Sequence, residues 1–460
     1  MSKLVVFGTG QYCRNRLHCF DDEKIIAFSD NNTGVVGENI NGVPIVAAKE
    51  ILNLDFDYIV IMTGASYSDE IYFQLIKLGI NQEKIFHSDR EYFASRKLKN
   101  NVILSSNDIF DNKTIICIPN LYHTGGIRAA IYLMKVLLKI YGQILVVSPC
   151  TGIEKEEIQN IGADILITSD ISRNNSFLWK CFERSERIIL NGLYYSYLIP
   201  EIQNLSDKKI LWWLHTGNSF YKTYPLPANY AESKNIKVMG VSTLVSEAYK
   251  SHCPNGTINL LPFGVPDDSV ISHHVANNKM IFATIGVVSR VKGQDIFVEA
   301  IRKIPPEKRT KAEFWIIGGE LNAGFSDYIH EMARGIDEIK WFGSLPHDEV
   351  MKMFENIDIL VSASREDMLP IVNIESMLNS IPCIITDSVG TASYLENNID
   401  GFIVPTEDST TLSNKMIYCI DNPEKVKQAG KKARKKYEKY FSMNAFEDRV
   451  KEIFENEKQE

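Results

Sequence analysis

Short apolar runs alternate along this chain with longer stretches of helical period. Residues 4–7, 25–28 and 58–62 predict buried strands, and each run ends in glycine or small polar residues. After a polar, basic stretch the rhythm resumes, with strands expected at 114–118, 144–147, 164–167, 188–190, 210–214 and 238–241. A third series starts near Lys279, at 280–285, 314–317, 359–361 and 382–387. Segments with one apolar face lie between them, among them 129–138, 297–304 and 348–355, and predict helices. Such alternation builds parallel sheets with right-handed crossovers, so the fold class expected is α/β. The rhythm divides the chain into a small Rossmann-like unit over 1–98, a linker over 99–113, and two further α/β domains over 114–272 and 273–440.

Composition narrows the class. The 460 residues suit two or three domains, and 45% apolar with 23% charged residues is ordinary for a soluble globular protein. A net charge of −8 argues against nucleic acid as the main partner. No run approaches the roughly 20 apolar residues of a membrane helix, and the N-terminus enters a strand without a signal-peptide pattern. The eight cysteines are scattered with no CxxC pair, which suits reduced thiols in a cytoplasmic protein. The nine histidines show no metal spacing, so no metal site is expected.

Candidate chemistry sits where apolar runs end. In the first unit Gly8 and Gly10 follow a strand, and Asp30 lies twenty residues past Gly10, a fair offset for an acid on a ribose. Cys13 stands where the dinucleotide fingerprint wants its third glycine. A nucleotide or sugar-nucleotide site and a purely structural turn both remain open there. In the second domain Gly125 and Gly126 precede a helix and let a ligand approach the backbone, while His215 ends a strand and faces the crevice of a parallel sheet. In the third, Arg290 and Lys292 share a loop between strand and helix, and two cations there suit a diphosphate. Residues 362–401 carry Arg365, Glu366 and Asp367, then Leu369, Pro370 and Ile371 at a helix start, then Glu375, and a small-residue turn with Gly390 and Thr391. Two strand ends, a helix N-terminus and acids at fixed offsets form the layout of a site for a phosphorylated ligand. The basic run 431–436 is expected on a solvated helix face.

From Thr114 onward the chain resembles the GT-B glycosyltransferases of family 4. Gly125-Gly126-Ile127-Arg128 is similar to the family's acceptor-side glycine loop, and Pro262-Phe263-Gly264-Val265 to its hinge. Lys292-Gly293-Gln294-Asp295 resembles the element whose lysine binds the donor diphosphate. Ser364-Arg365-Glu366-Asp367, Pro370 and Glu375 resemble the paired-acid motif, with Asp367 at the usual spacing before Glu375 and Glu366 beside it. Residues 1–98, with Asp30-Asn31-Asn32 and Gly42-Val43-Pro44, resemble small Rossmann-like domains attached to bacterial sugar-modifying enzymes.

The resemblance implies two facing Rossmann-like domains, with the helix at 441–460 packing back on the acceptor side. It also implies a retaining, metal-independent transfer from a nucleotide-diphosphate sugar to a glycan, lipid-linked or protein acceptor in bacterial surface polysaccharide assembly. On that reading His215, Glu366 and Asp367 are catalytic; Arg290, Lys292, Leu369, Pro370, Ile371, Glu375, Gly390 and Thr391 hold the donor; and no cofactor beyond the donor is needed. His215 is expected to orient the donor. Arg290, two residues from Lys292, stands closer than the family's arginine does. The location expected is cytoplasmic, with peripheral contact at the inner face of the membrane. The rival readings are another GT-B enzyme, such as a nucleotide-sugar epimerase, and a non-catalytic nucleotide-sugar-binding scaffold.

Overall fold

The computed structural model describes residues 2–14, 17–20, 23–63, 65–89, 91–92, 102–105, 108–122, 124–227, 233–269, 279–320 and 323–455. They form two compact units, Met1–Ile127 with Gln143–Ser185, and Arg128–Gly142 with Glu186–Glu460.

The first unit opens with strands β1 (Lys3–Phe7), β2 (Lys24–Ser29), β3 (Asn39–Ile40), β4 (Val43–Val46), β5 (Tyr58–Ile61) and β6 (Ile85–Phe86). Their order is β3-β4-β2-β1-β5-β6, parallel apart from the β3–β4 hairpin. Alternate residues serve opposite faces: Leu4 and Val6 enter one apolar cluster, Val5 and Phe7 another. Both faces are covered, and so the strand reads as a continuous apolar run. The unit also holds β7 (Val102–Leu104), β8 (Thr114–Cys117), β9 (Leu145–Ser148) and β10 (Asp164–Ile167). Here β8, β9 and β10 are parallel, and β7 closes the edge antiparallel to β10.

The second unit begins with parallel strands β11 (Arg187–Asn191), β12 (Lys209–Leu214), β13 (Ile236–Gly240) and β14 (Asn259–Leu260). It continues with β15 (Met280–Ile285), β16 (Ala312–Ile317), β17 (Ile339–Gly343), β18 (Ile359–Ser362), β19 (Cys383–Thr386) and β20 (Phe402–Val404). These last six form one parallel sheet in the order β17-β16-β15-β18-β19-β20. Its core joins Phe282, Phe314, Ile359 and Ile384 to Phe297 and Ile301 of the helix Gln294–Arg302.

The chain then returns. Helix Met443–Glu455 stacks Phe446 on Trp213 of β12, with centroids 5.8 Å apart. Lys209 and Lys237, at the starts of β12 and β13, donate to the carbonyls of Phe454 and Ile453. Cations at a helix C-terminus satisfy its last carbonyls and its dipole.

The described part of the expected linker 99–113 is not free coil. Val102–Leu104 pairs as β7, since an open edge of β10 offers backbone groups that a three-residue extended run can meet. The expected boundary at 272 and 273 lies outside the described residues.

Candidate functional site

The carboxyl ends of β15, β18 and β19 converge, as parallel sheets require, and the loops after them carry the expected donor residues. After β15 the turn Arg290–Lys292 leads into Gly293, at φ +69. A Cβ there would stand 1.9 Å from the Ala363 carbonyl, so the loop after β18 can lie against this turn only with glycine present. Arg365 clamps the same two loops. Its guanidinium forks onto Asp295 at 2.9 Å on both arms, donates to Glu407 at 2.7 Å and donates to the Arg290 carbonyl. Asp295, then Glu407, raises its pKa further above its ordinary value. Arg365 is thereby committed to structure.

Lys292 Nζ meets Asp367 Oδ2 at 2.5 Å, with the lysine about a third exposed and the aspartate mostly covered. Arg290 is exposed beside it. Leu369 is buried, Pro370 caps the helix Ile371–Leu378, and that N-cap makes no side-chain cap bond. Glu375 lies in the second turn of this helix and is only 5% exposed. His347 Nε2 meets Glu375 Oε1 at 2.8 Å, a partner that residue spacing did not reveal. This pairing raises the His347 pKa, against the opposing effects of burial and of Arg128.

His215 follows β12. Its ring packs edge-on against Trp213, and its Nε2 lies 2.9 Å from Asn191 Oδ1 at the end of β11. Burial pushes its pKa down to about 3, so the imidazole is neutral at physiological pH. With Asn191 Oδ1 accepting, Nε2 carries the proton and Nδ1 is left as an acceptor. Two residues on, Gly217 meets the other acid. A Cβ at Gly217 would lie 2.0 Å from Glu366 Oε1. Both line a cleft of about 430 Å³ with Asn218, Glu247, Met368 and Ser388. The two neighbouring acids therefore differ: Asp367 faces Lys292, whereas Glu366 faces the cleft that Gly217 lines.

Other expected residues are placed differently. The Gly390 amide, expected to be open to phosphate, donates to the Asp367 carbonyl at 2.8 Å, and Thr391 is fully buried with its hydroxyl accepting from Asn373. Both brace the acid loop, because the extended pairing of Asp367 with Val389 uses that amide. At the N-terminal candidate, both Asp30 oxygens are engaged, Oδ2 by the Thr9 amide and hydroxyl and Oδ1 by the Asn32 amide. The Gly8 amide donates to Ser29, and the Gly10 carbonyl accepts from Arg14. This geometry suits the structural turn better than a free ribose acid. Gly125 and Gly126 open the helix Gly125–Tyr141 and are exposed and partly exposed. Among the described residues, no three His, Cys, Asp or Glu side chains gather as a metal set.

Comparison with known proteins adds the following. Residues 268–436 match the family model of glycosyl transferases group 1, and residues 1–86 match the model described as C2185-like, N-terminal. An uncharacterized glycosyltransferase of Methanocaldococcus jannaschii is 25% identical over 260 residues, covering 56% of this chain and 68% of that protein. The amylovoran biosynthesis glycosyltransferase AmsK of Erwinia amylovora is 23% identical over 212 residues, 44% of this chain and 52% of its own. The chain thus spans 68% and 52% of the lengths of these two relatives. The solved structure of Anabaena HepE in complex with UDP and glucose superposes with a TM-score of 0.60 at 14% identity, over 75% of this chain and 100% of its own. That likeness shows the GT-B fold. On these matches the chain has GT-B architecture and carries a glycosyl transferases group 1 domain over residues 268–436.

Proposed function

We propose that the protein moves a sugar from a nucleotide-diphosphate sugar to a growing glycan, with retention of configuration, as a family 4 enzyme. The reading is carried by one juxtaposition: the Lys292–Asp367 pair, with Glu366 turned into the cleft at Gly217, two residues after His215. On this reading Lys292 and the exposed Arg290 meet the departing diphosphate together with the first amides of the helix Ile371–Leu378, whose N-cap makes no side-chain cap bond. Charge that develops on the departing phosphate is stabilised by cations and amides already in place. The bond from the anomeric carbon to the phosphate oxygen breaks as the acceptor oxygen attacks from the same face. The acceptor's proton passes to the leaving phosphate, so neither a protein base nor a metal is required. Neutral His215 accepts from a sugar hydroxyl, and Glu366 steadies the cationic character of the anomeric carbon.

The AmsK relative acts, by its name, in amylovoran biosynthesis, which supports a polysaccharide as the product class. The HepE complex holds UDP and glucose, which favours uridine diphosphate sugars as the first donors to try. No described helix is long and apolar enough to cross a membrane. A cytoplasmic enzyme that meets a lipid-linked acceptor at the inner face of the membrane fits this reading. The test is incubation with UDP-, GDP- and ADP-sugars and glycan or lipid-linked acceptors, with and without EDTA, followed by mass spectrometry and NMR of the new linkage. Transfer with retained configuration that survives EDTA is expected. Donor conversion without acceptor, or an inverted product, overturns the proposal.

A further inference from the structure

The buried carboxylate of Glu375 has one side-chain partner among the described residues, the imidazole of His347. His347 begins the helix His347–Met353, directly after Pro346 as N-cap. Its side chain is 54% exposed and that of Glu375 is 6% exposed, so the carboxylate lies beneath an imidazole that solvent and ligand can reach. An ionised carboxylate offers about four lone-pair sites, and a buried one is stable only if they find donors. Here Oε1 has the His347 nitrogen, while among the described residues no protein group donates to Oε2.

We propose that His347 is a positioning residue of the donor site, holding Oε1 of Glu375 so that Oε2 is presented to the ribose hydroxyls of the nucleotide. This rests on the donor-site reading above and deepens it: the site selects ribonucleotides, and the selection depends on the protonation of a residue outside the acid motif. Three charged groups act on the imidazole. Glu375 raises its proton affinity by hydrogen bond and by charge, Asp348 of its own helix adds to that, and Arg128 of the helix Gly125–Tyr141 opposes it. Charged, His347 forms an ion pair that fixes the carboxylate rotamer. Neutral, it holds the carboxylate by a single weaker hydrogen bond. Preference for the ribose form is therefore greatest on the acid side and declines as pH rises through the raised pKa of His347.

The experiment is calorimetric titration of the intact chain with UDP, ADP and GDP, each beside its 2′-deoxy counterpart, from about pH 5.5 to about pH 8.5. The ratio of the two affinities cancels the ionisation of the phosphates. The wild-type ratio should fall as pH rises. His347→Ala should lower the ratio about tenfold at the acid end, the loss of one hydrogen bond to a charged group. His347→Gln, which keeps an N–H donor without a titrating proton, should restore most of the preference and abolish its pH dependence. A residue that served only to stabilise the fold would leave the ratio unchanged. The proposal is overturned if a nucleotide binds and the ratio is the same in all three proteins, or if the wild-type ratio is flat with pH. If none of the three nucleotides binds, the donor-site reading falls and takes this proposal with it.

Discussion

The adjacent acids Glu366 and Asp367 have different surroundings. Asp367 turns to Lys292, and Glu366 turns to Gly217 and the cleft. Steady-state kinetics should separate them. Glu366→Gln should lower kcat by about 100-fold, the scale of losing one charge-stabilising group, with donor affinity nearly unchanged. Asp367→Asn should act mainly on donor affinity, through the freed Lys292 ammonium. Equal effects on both constants for both variants would remove the distinction. His215 makes a prediction of opposite sign to the usual histidine ion pair. Its folded pKa, about 3, lies below its ordinary value near 6.5, so the unfolded chain binds the extra proton between those limits. Stability contributed by the neutral ring is fully present above pH about 6.5 and is lost as pH falls towards about 3. Urea midpoints measured across that range should fall less steeply for His215→Gln than for the wild type. Ring NMR should show no His215 titration between about pH 5 and about pH 8.

At the scale of elements, the donor loops depend on backbone contact more than on side chains. The turn Arg290–Lys292 and the loop after β18 touch at Gly293 and Ala363, and Arg365 ties them through Asp295 and Glu407. Gly293→Ala combines a left-handed backbone with a Cβ 1.9 Å from a carbonyl. A destabilisation of at least about 2 kcal/mol is expected in chemical denaturation, together with loss of donor binding, because the loop must move to admit the methyl group. Unchanged stability would mean that the loops pack elsewhere. The helix Pro423–Lys436 makes a related point about the basic run. Arg434 reaches Asp267 and Glu438, and Lys436 reaches Glu396 and Asp400, so those two cations serve intramolecular pairs in place of free solvation.

Across the molecule, the return of the last helix has an energetic consequence that can be measured. Phe446 is fully buried on Trp213, and Gly264 leaves no room for a Cβ beside it, with Phe446 Cβ at 2.8 Å. Phe446→Ala should cost about 3–5 kcal/mol, as large aromatic truncations in cores do. The loss should appear as a lower urea midpoint of the unit formed by Arg128–Gly142 and Glu186–Glu460, followed by tryptophan fluorescence. A shift under about 1 kcal/mol would show that the helix adds little to that core.

Much of this was legible in the residues alone. Buried parallel strands are apolar on both faces, so β1, β12, β15 and β18 stand out as continuous runs, and the carboxyl ends of the last two locate the loops that carry Lys292, Glu366 and Asp367 and lead to Glu375. The three-residue edge strand β7 was not legible, since its pairing depends on an open edge supplied by β10 and not on any local pattern. The partnerships were hidden for the same reason. Hydrogen bonds from His347 to Glu375 across 28 positions, from Arg365 to Asp295 across 70 and from Lys292 to Asp367 across 75 leave no periodic trace in the chain. Sequence determined which groups stand at the mouth of each strand, because period and strand ends are local properties. Tertiary structure alone decided which of those groups are already engaged, as with Gly390, Asp30 and Arg365, and which remain turned to the cleft, as with Glu366. A side chain's partner is set by the packing of distant segments.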